Sequence, residues 1–167
     1  FLKNRGIECP SVFGDPALLL PRFYTPQRME KRYKLGIIPH VIDWDYDVMR
    51  KIRKERTDIL VIDLAHYDKW TDVIDQICSC EAIASSSLHG LIVSDAYNVP
   101  NCWITLSGKI SGGLFKFFDY FSSVGREEAG PEKVERMSDL QTIENKMISW
   151  KPITIDTDPI LQSCPFY

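Results

Sequence analysis

Short apolar runs that end in small or polar residues alternate along this chain with segments of helical period. This alternation is typical of β-strands joined by helical crossovers, which place the strands parallel in one sheet. The predicted strands are residues 11–13, 34–39, 59–63, 82–85 and 101–105. The predicted helices between them are Asp47–Glu55, residues 70–78, Leu88–Ala96 and residues 114–121. We therefore expect an open, mainly parallel α/β sheet flanked by helices.

The spacing of apolar residues indicates which faces of these helices are buried. The second helix carries one stripe, formed by Trp70, Val73, Ile74, Ile77 and Cys78. Asp68 is the predicted N-cap of this helix. The inward residues of the first helix are Val48, Met49 and Ile52, and those of the fourth are Leu114, Phe117, Phe118 and Phe121. The fourth helix also carries an aromatic row, formed by Phe115, Phe117, Phe118, Tyr120 and Phe121. Core packing accounts for most of this row.

The pattern weakens after Val124. The stretch GREEAGPEKVERMSD is charged and contains the breaker Gly130-Pro131, so it predicts an exposed loop. A last helix is predicted over residues 138–150, and the apolar tail after it is expected to dock on the domain. We therefore divide the chain into an α/β region, residues 1–126, and a loop, C-terminal helix and docked tail of the same domain, residues 127–167.

Composition excludes several classes of protein. The 167 residues are 44% hydrophobic and 26% charged, which is typical of one globular domain. A net charge of −3 without long blocks of one sign predicts no nucleic-acid partner. No apolar run reaches the roughly 18 residues that a membrane span needs, and we expect a cytoplasmic protein. Five irregularly spaced cysteines indicate reduced thiols, and no set of ligands at zinc spacing predicts a metal site.

All three histidines follow predicted strands. His40 comes after LGIIP, His66 after ILVIDLA and His89 after AIASSSL. In an open parallel sheet, ligands bind beyond the carboxyl ends of the strands, where the following helices point their N-termini. We therefore expect the three imidazoles on one rim of the sheet, beside a ligand.

The run SSSLHG, residues 85–90, is the strongest local signal for a binding site. It opens a predicted helix, whose first N–H groups and dipole favour an anion. The hydroxyls and His89 would strengthen such a site, and Gly90 would let a ligand or a neighbouring chain come close. The alternative interpretation is that a serine caps the helix and that His89 is an ordinary surface or core side chain.

Three further residues are weaker candidates. Lys109 lies in the flexible loop SGKISGG, which could close over an anion or merely connect two elements. Arg126 could bind a carboxylate or phosphate, or be a solvated loop residue. Asp15, in GDPALLLP, is interpreted as the start of a tight turn. The chain has neither a P-loop nor a G-x-G-x-x-G, so a dinucleotide cofactor is not expected.

Four segments, in their order and spacing, resemble the carboxyl-terminal half of the polysaccharide pyruvyl transferase family. They are VFGDPALLLP, YKLGIIPHVIDWD, SCEAIASSSLHGLIVSDAYNVPNCWI and FKFFDYFSSVGR, which extend from about Gly14 to Arg126. The most specific part is S-L-H-G-L-I-V-x-D-A-Y, followed by a proline and a new strand. The resemblance implies a two-domain enzyme of glycosyltransferase-B-like arrangement, in which two Rossmann-like halves face each other across a cleft.

The same resemblance implies a reaction. Such enzymes transfer the pyruvyl group of phosphoenolpyruvate to a sugar of an exopolysaccharide or cell-surface polysaccharide, with no separate cofactor. The polysaccharide assembly machinery is a candidate partner. In characterised relatives an R-L-H-G element recognises phosphoenolpyruvate. His89 and Gly90 match this element, whereas Ser87 stands where relatives have arginine. We therefore expect His89 to be the general acid/base. The expected substrate-binding residues are Ser86, Ser87, Leu88, Gly90, His40, Lys109 and Arg126.

Two other functions fit the same pattern. A nucleotide-sugar glycosyltransferase would use this architecture, and a non-catalytic binding module of polysaccharide assembly would be compatible with Ser87. The opening residues, FLKNRGI, are typical of the last turn of a helix, so we interpret the chain as a fragment of a longer protein. The resemblance implies that the missing part is the amino-terminal half. We expect little catalysis from these residues alone.

Overall fold

Five strands form the sheet in the computed structural model, which describes residues 5–8, 11–27, 30–109 and 113–164. They are β1 (Tyr33–Ile38), β2 (Ile59–Val61), β3 (Cys80–Ser85), β4 (Asn101–Thr105) and β5 (Glu132–Lys133). Their spatial order is β2-β1-β3-β4-β5, and every neighbouring pair is parallel. The predicted α/β fold with a parallel sheet is confirmed.

Helices cover both faces of this sheet. They are α1 (Asp47–Glu55), α2 (Trp70–Cys78), α3 (Leu88–Ala96), α4 (Phe115–Ser123), α5 (Leu140–Met147) and α6 (Asp158–Gln162). The core residues of α1 and α5 pack on one face, and those of α2, α3 and α4 on the other. No helix in the described ranges has the length and apolar character that crossing a membrane requires.

Alternation along β1 explains how one strand supports both layers. Leu35 and Ile37 join the α1 and α5 layer, whereas Ile38 joins the layer of α2. Each of these side chains is at most 1% exposed. Full burial of one such side chain stabilises a fold by about 1.5–3 kcal/mol, which makes β1 a strong organiser of the domain.

The aromatic row is only partly a core feature. Trp103 of β4 stacks on Phe117 at a centroid distance of 4.6 Å and contacts Phe121 at 5.5 Å, and all three rings are buried. Core packing is therefore the correct interpretation for Phe117 and Phe121. The row also contains Phe115 and Phe118, which are 76% and 39% exposed, and the predicted inward residue Leu114 is 44% exposed.

Residues 11–13 do not form the predicted strand. Phe13 is 69% exposed, and the segment leads into a 3₁₀ helix over Pro16–Arg22. Asp15 caps this helix, since its Oδ1 accepts a hydrogen bond from the Ala17 N–H at 2.8 Å. A run of three apolar residues carries too little periodicity to distinguish a strand from an extended lead into a turn.

The start of α2 also differs from its prediction. Lys69, not Asp68, is the N-cap, and its N–H donates to the Asp72 side chain at 3.2 Å. Trp70 is 47% exposed and contacts the ring of Tyr24 edge-on at 5.5 Å, so it does not belong to the buried stripe. Trp70 therefore lies at the margin of the core, against Tyr24, rather than within it.

Residues after 126 pack against the same sheet. β5 pairs with the end of β4, although the sequence predicted an exposed loop there. The predicted last helix is shorter than expected, because a 3₁₀ turn over Met137–Asp139 precedes α5. In the tail, Ile160 of α6 is 7% exposed and belongs to the core cluster of α3 and α4.

The thiols of Cys78, Cys80, Cys102 and Cys164 are free. The first three are buried, and burial raises their pKa to about 11, 12 and 12 respectively. These three groups are therefore protonated and poorly nucleophilic at neutral pH. Cys9 lies outside the described residues.

Candidate functional site

The strand order of the sheet reverses at β1, because β2 lies on one side of it and β3 on the other. The helix after β1 covers one face and the helix after β3 covers the other, so the two loops diverge and leave a crevice. There the N–H of His40 donates to Ser86 Oγ at 2.8 Å, and the Ser86 N–H donates to the Ile38 carbonyl at 3.0 Å. The serine run and the end of β1 are thus held together where sheets of this strand order bind ligands.

The three serines have different roles. Ser85 and Ser86 are both 0% exposed. Ser85 Oγ accepts from the Ser87 N–H at 3.0 Å and lies within hydrogen-bonding distance of the Ile38 carbonyl, while Ser86 Oγ holds the backbone of His40. Ser87 is the N-cap residue of α3, but its side chain makes no capping hydrogen bond. The simple serine cap is therefore not what the structure has, and Ser87 is the partly exposed member of the run.

Gly90 lets α3 lie directly on the strands. A Cβ at this position would be 2.3 Å from Ser85 Oγ and 3.0 Å from Ile38 Cγ2. The Gly90 carbonyl accepts a hydrogen bond from Ser94 Oγ at 2.6 Å, which further fixes this part of the helix. The close approach made at Gly90 is therefore to side chains of the protein's own strands, those of Ser85 and Ile38, and it sets the position of the first turn of α3.

The Gly90→Ala variant is expected to be less stable than wild type by about 1–3 kcal/mol, because overpacking shifts well-packed neighbours. This loss occurs although alanine is favoured over glycine by about 1 kcal/mol inside a helix. Chemical denaturation measures the change. Gly130→Ala is the matched control, since nothing lies within 4 Å of a Cβ there. Equal stability of the two variants would contradict the packing role of Gly90.

A cavity of about 440 Å³ opens beside this crevice. Its lining includes His40, His66 and Ser87, which come from the ends of three different strands. His40 is half-buried, and its Nδ1 accepts from the Ile42 N–H at 3.3 Å. The cavity thus combines two imidazoles with the hydroxyl of the α3 N-cap, as expected for a rim that carries histidines.

Two carboxylates also line the cavity, and both have partners. Asp63 holds the His66 ring, with Oδ2 3.0 Å from Nδ1, and Asp45 pairs with Arg53 at 3.5 Å. Partial burial works against ionisation of Asp63, but hydrogen bonds from the Ala65 N–H and from His66 lower its pKa overall. Within the described part of the chain, no three His, Cys, Asp or Glu side chains form a group that could hold a metal ion.

His89 is the second residue of α3 and is exposed. It does not line the cavity itself, but it follows Ser87, which does, by two positions. Leu88, between them, lines a different groove. The structure therefore brings His40, His66 and Ser87 around one cavity and leaves His89 open to solvent at its border.

A pair that sequence reasoning missed lies at the same rim. Asp43, in the loop after β1, is fully buried and accepts a hydrogen bond from Ser107 Oγ, in the loop after β4. Ser107 Oγ also accepts from the Lys109 N–H at 3.3 Å, and Lys109 is exposed. The other carboxylate oxygen of Asp43 has no partner in the described ranges. The position of Asp43 in VIDWD, directly after a strand, was the available signal.

Arg126 lies elsewhere. Its Nη1 donates to Asn101 Oδ1 at 2.6 Å and to the Asp95 carboxylate at 3.2 Å, and its Nη2 donates to Glu128 at 2.7 Å. Asn101 begins β4, so this network is at the amino end of the sheet, opposite the serines. The structure therefore does not bring Arg126 to the rim. Its guanidinium is occupied by groups of the chain itself, beside a separate cavity of about 720 Å³.

Comparison with known proteins identifies a family and two similar sequences. The family model described as polysaccharide pyruvyl transferase matches residues 1–108. An uncharacterised protein of Acanthamoeba polyphaga mimivirus is 34% identical over 130 residues, which cover 76% of this chain and 45% of that protein. The succinoglycan biosynthesis protein ExoV of Rhizobium meliloti (strain 1021) is 30% identical over 113 residues, which cover 66% of this chain and 34% of that protein.

The chain thus spans less than half the length of these two curated relatives. No solved structure matches it significantly. The family model covers well over half of the chain and includes β1 to β4 and the whole SLHG element. The chain belongs to the polysaccharide pyruvyl transferase family.

Proposed function

We propose that the full-length protein transfers the pyruvyl group of phosphoenolpyruvate to a sugar of an exopolysaccharide. The observation that carries this proposal is the meeting of the SLHG element with His40 and His66 at the β1/β3 crevice, in a chain of this family. The name of the relative ExoV, a succinoglycan biosynthesis protein, supports an exopolysaccharide as acceptor. In this proposal a second Rossmann-like half supplies the opposite wall of a glycosyltransferase-B-like cleft, in the cytoplasm.

The donor carries a carboxylate and a phosphate, so its site must satisfy negative charge. The first N–H groups of α3 are not capped by the Ser87 side chain, and a nine-residue helix directs the positive end of its dipole to this point. His40 and His66 supply imidazole donors in the adjoining cavity, and the carboxylates there are already paired. Lys109 is an exposed cation at the same rim. We propose that these groups together supply the positive charge that arginine provides in relatives at the position of Ser87.

His89 is proposed to move the protons of the reaction. One acceptor hydroxyl attacks C2 of phosphoenolpyruvate while a proton is delivered to its methylene carbon. The second hydroxyl then displaces phosphate from the same carbon, which closes a cyclic ketal and releases inorganic phosphate with the remaining proton. An imidazole can both take a proton from a hydroxyl and give one to carbon near neutral pH. The exposure of His89 at the start of α3 leaves it accessible to both substrates.

Thermal-shift titration of the full-length protein tests the donor. Phosphoenolpyruvate is expected to raise the melting temperature, because a ligand at 100 times its Kd stabilises the native state by about 2.7 kcal/mol. Nucleotide sugars at the same concentrations are expected to have no effect. A parallel assay measures inorganic phosphate released from phosphoenolpyruvate in the presence of oligosaccharides.

The outcomes separate the competing functions. Stabilisation by a nucleotide sugar instead of phosphoenolpyruvate would overturn the proposal in favour of a glycosyltransferase. No stabilisation by either ligand, together with no phosphate release with any acceptor, would identify a non-catalytic binding module.

A further inference from the structure

A second groove, of about 640 Å³, includes Leu88 of the first turn of α3 and shares no lining residue with the cavity of His40, His66 and Ser87, called the histidine cavity below. It runs between the segment at residues 12–15 and α4, and Leu88 forms part of its wall. Ser87 lines the histidine cavity and the next residue, Leu88, lines this groove, so the two spaces are adjacent at the start of α3. The groove therefore begins one residue from His89.

Two phenylalanine side chains in this groove remain largely exposed. Phe13 is 69% exposed and Phe115 is 76% exposed, whereas Tyr120, which also lines the groove, is 5% exposed. Large exposed apolar side chains that gather in one groove mark an interaction site more often than they mark ordinary surface. Packing of the described core does not account for either ring.

Polar groups are interleaved with these rings. Asp119, Ser122 and Ser123 line the groove on α4, together with Lys116 and with the Asp15 that caps the 3₁₀ helix. Carboxylates and hydroxyls accept hydrogen bonds from sugar hydroxyl groups, and aromatic faces pack against the C–H groups of a pyranose ring. The two carboxylates outnumber the one ammonium, that of Lys116, so the groove lining has a net negative charge that disfavours an anion. Charge therefore distinguishes this groove from the proposed donor site.

We propose that this groove binds the acceptor saccharide, as a neutral oligosaccharide whose pyranose rings pack on Phe13 and Phe115. The inference rests on the proposed function. A sugar held here would extend past Leu88 to the start of α3, where His89 and the donor lie. The acceptor would thus be recognised by this half of the protein as well as by the opposite wall of the cleft.

Binding of oligosaccharides to the full-length protein tests the groove without turnover. The probes are cellotetraose and lacto-N-neotetraose, with affinity measured by saturation-transfer NMR and calorimetry. Phe115→Ala and Asp119→Asn are each expected to weaken binding of the better probe about tenfold, because they remove a packed ring or a hydrogen-bond acceptor. Neither change is expected to alter the melting-temperature increase caused by phosphoenolpyruvate.

Phe23→Ala is the matched control, since Phe23 is 65% exposed and is not part of the groove lining. It is expected to leave saccharide affinity unchanged, and all three variants are expected to melt within about 2 °C of wild type. Failure of both probes to bind the wild-type protein would overturn the proposal that the groove binds a saccharide. Equal loss of affinity in Phe115→Ala and Phe23→Ala would overturn it too. A larger drop in melting temperature for Phe115→Ala would show that protein, not sugar, covers the ring.

Titration with phosphoenolpyruvate distinguishes failure of the groove proposal from failure of the proposed function. Saccharide binding that depends on Phe115, without any effect of phosphoenolpyruvate, would retain the groove and refute the pyruvyl transferase. A phosphoenolpyruvate effect without saccharide binding would retain the transferase and refute the groove.

Discussion

Replacing His89 by alanine in the full-length protein is expected to abolish measurable pyruvyl transfer and to leave the melting temperature nearly unchanged. Loss of a general acid/base lowers a rate by about 10²–10⁴-fold. The side chain is exposed at the second position of α3, so its removal breaks no core contact. The measurement is phosphate release from phosphoenolpyruvate with acceptor present, combined with a melting curve.

His66→Ala is the control for this prediction. His66 is also exposed and lies at the same rim, but it is proposed to contact the donor rather than to move protons. It is expected to raise the KM for phosphoenolpyruvate while retaining most of kcat. Activity of the His89 variant close to wild type would remove His89 from the mechanism, as would a kcat loss of equal size in both variants.

Replacing Arg126 by alanine is expected to lower the free energy of unfolding by about 3–5 kcal/mol, because it leaves a buried charge without its partner. Asp95 has a fully buried side chain, and its carboxylate also accepts from Tyr120 OH at 2.8 Å and from Asn101 Nδ2 at 2.6 Å. Burial raises the pKa of Asp95, and Arg126 is the nearest positive charge that opposes this effect. Urea denaturation with wild type in parallel measures the loss.

The pH dependence of this loss has a defined sign. Without Arg126, the pKa of Asp95 in the folded state rises further above its unfolded value, so the unfolded state ionises first. Stability of the variant relative to wild type therefore falls as the pH rises above about 4. The deficit is expected to be small in acid and complete at neutral pH.

Arg50→Ala is the matched control for Arg126→Ala. Its ion pair with Asp47 is exposed on both sides, so its loss is expected to cost less than about 1 kcal/mol. A stable Arg126 variant with a weakened response to phosphoenolpyruvate would contradict the structural role. It would instead return Arg126 to the donor site that the sequence suggested.

Local periodicity explains which parts of the fold could be predicted. The stripe from Val73 to Cys78 and the inward residues Val48, Met49 and Ile52 are spaced as one helix face, and all are buried. Such spacing depends only on neighbours along the chain, and alternation of helices with apolar runs then leaves few arrangements other than a parallel sheet. The elements that failed, residues 11–13 and β5, are too short to carry a period.

Some features of the candidate site could likewise be predicted from the sequence, and others could not. That His40, His66 and Ser87 share a rim follows from their positions after strands, because parallel strands end at one edge. The partners of Arg126 and Asp43 could not be predicted, since Arg126 bonds to residues 25 and 31 positions away and Ser107 reaches Asp43 across 64. The residues next to each partner in the sequence therefore give no indication of these pairings.

The sequence by itself determined the α/β class, the buried faces of α1 and α2 and the rim that gathers the histidines around the SLHG element. Only the tertiary structure decided that Ser85 and Ser86 are buried and hydrogen-bonded to the backbone of Ser87 and His40, and that Ser87 lines the cavity. It also decided that Arg126 neutralises a buried carboxylate at the opposite end of the sheet. The reason is physical. Periodicity and strand order are set by covalent neighbours, whereas burial and the pairing of charges depend on which distant segments the folded chain brings into contact.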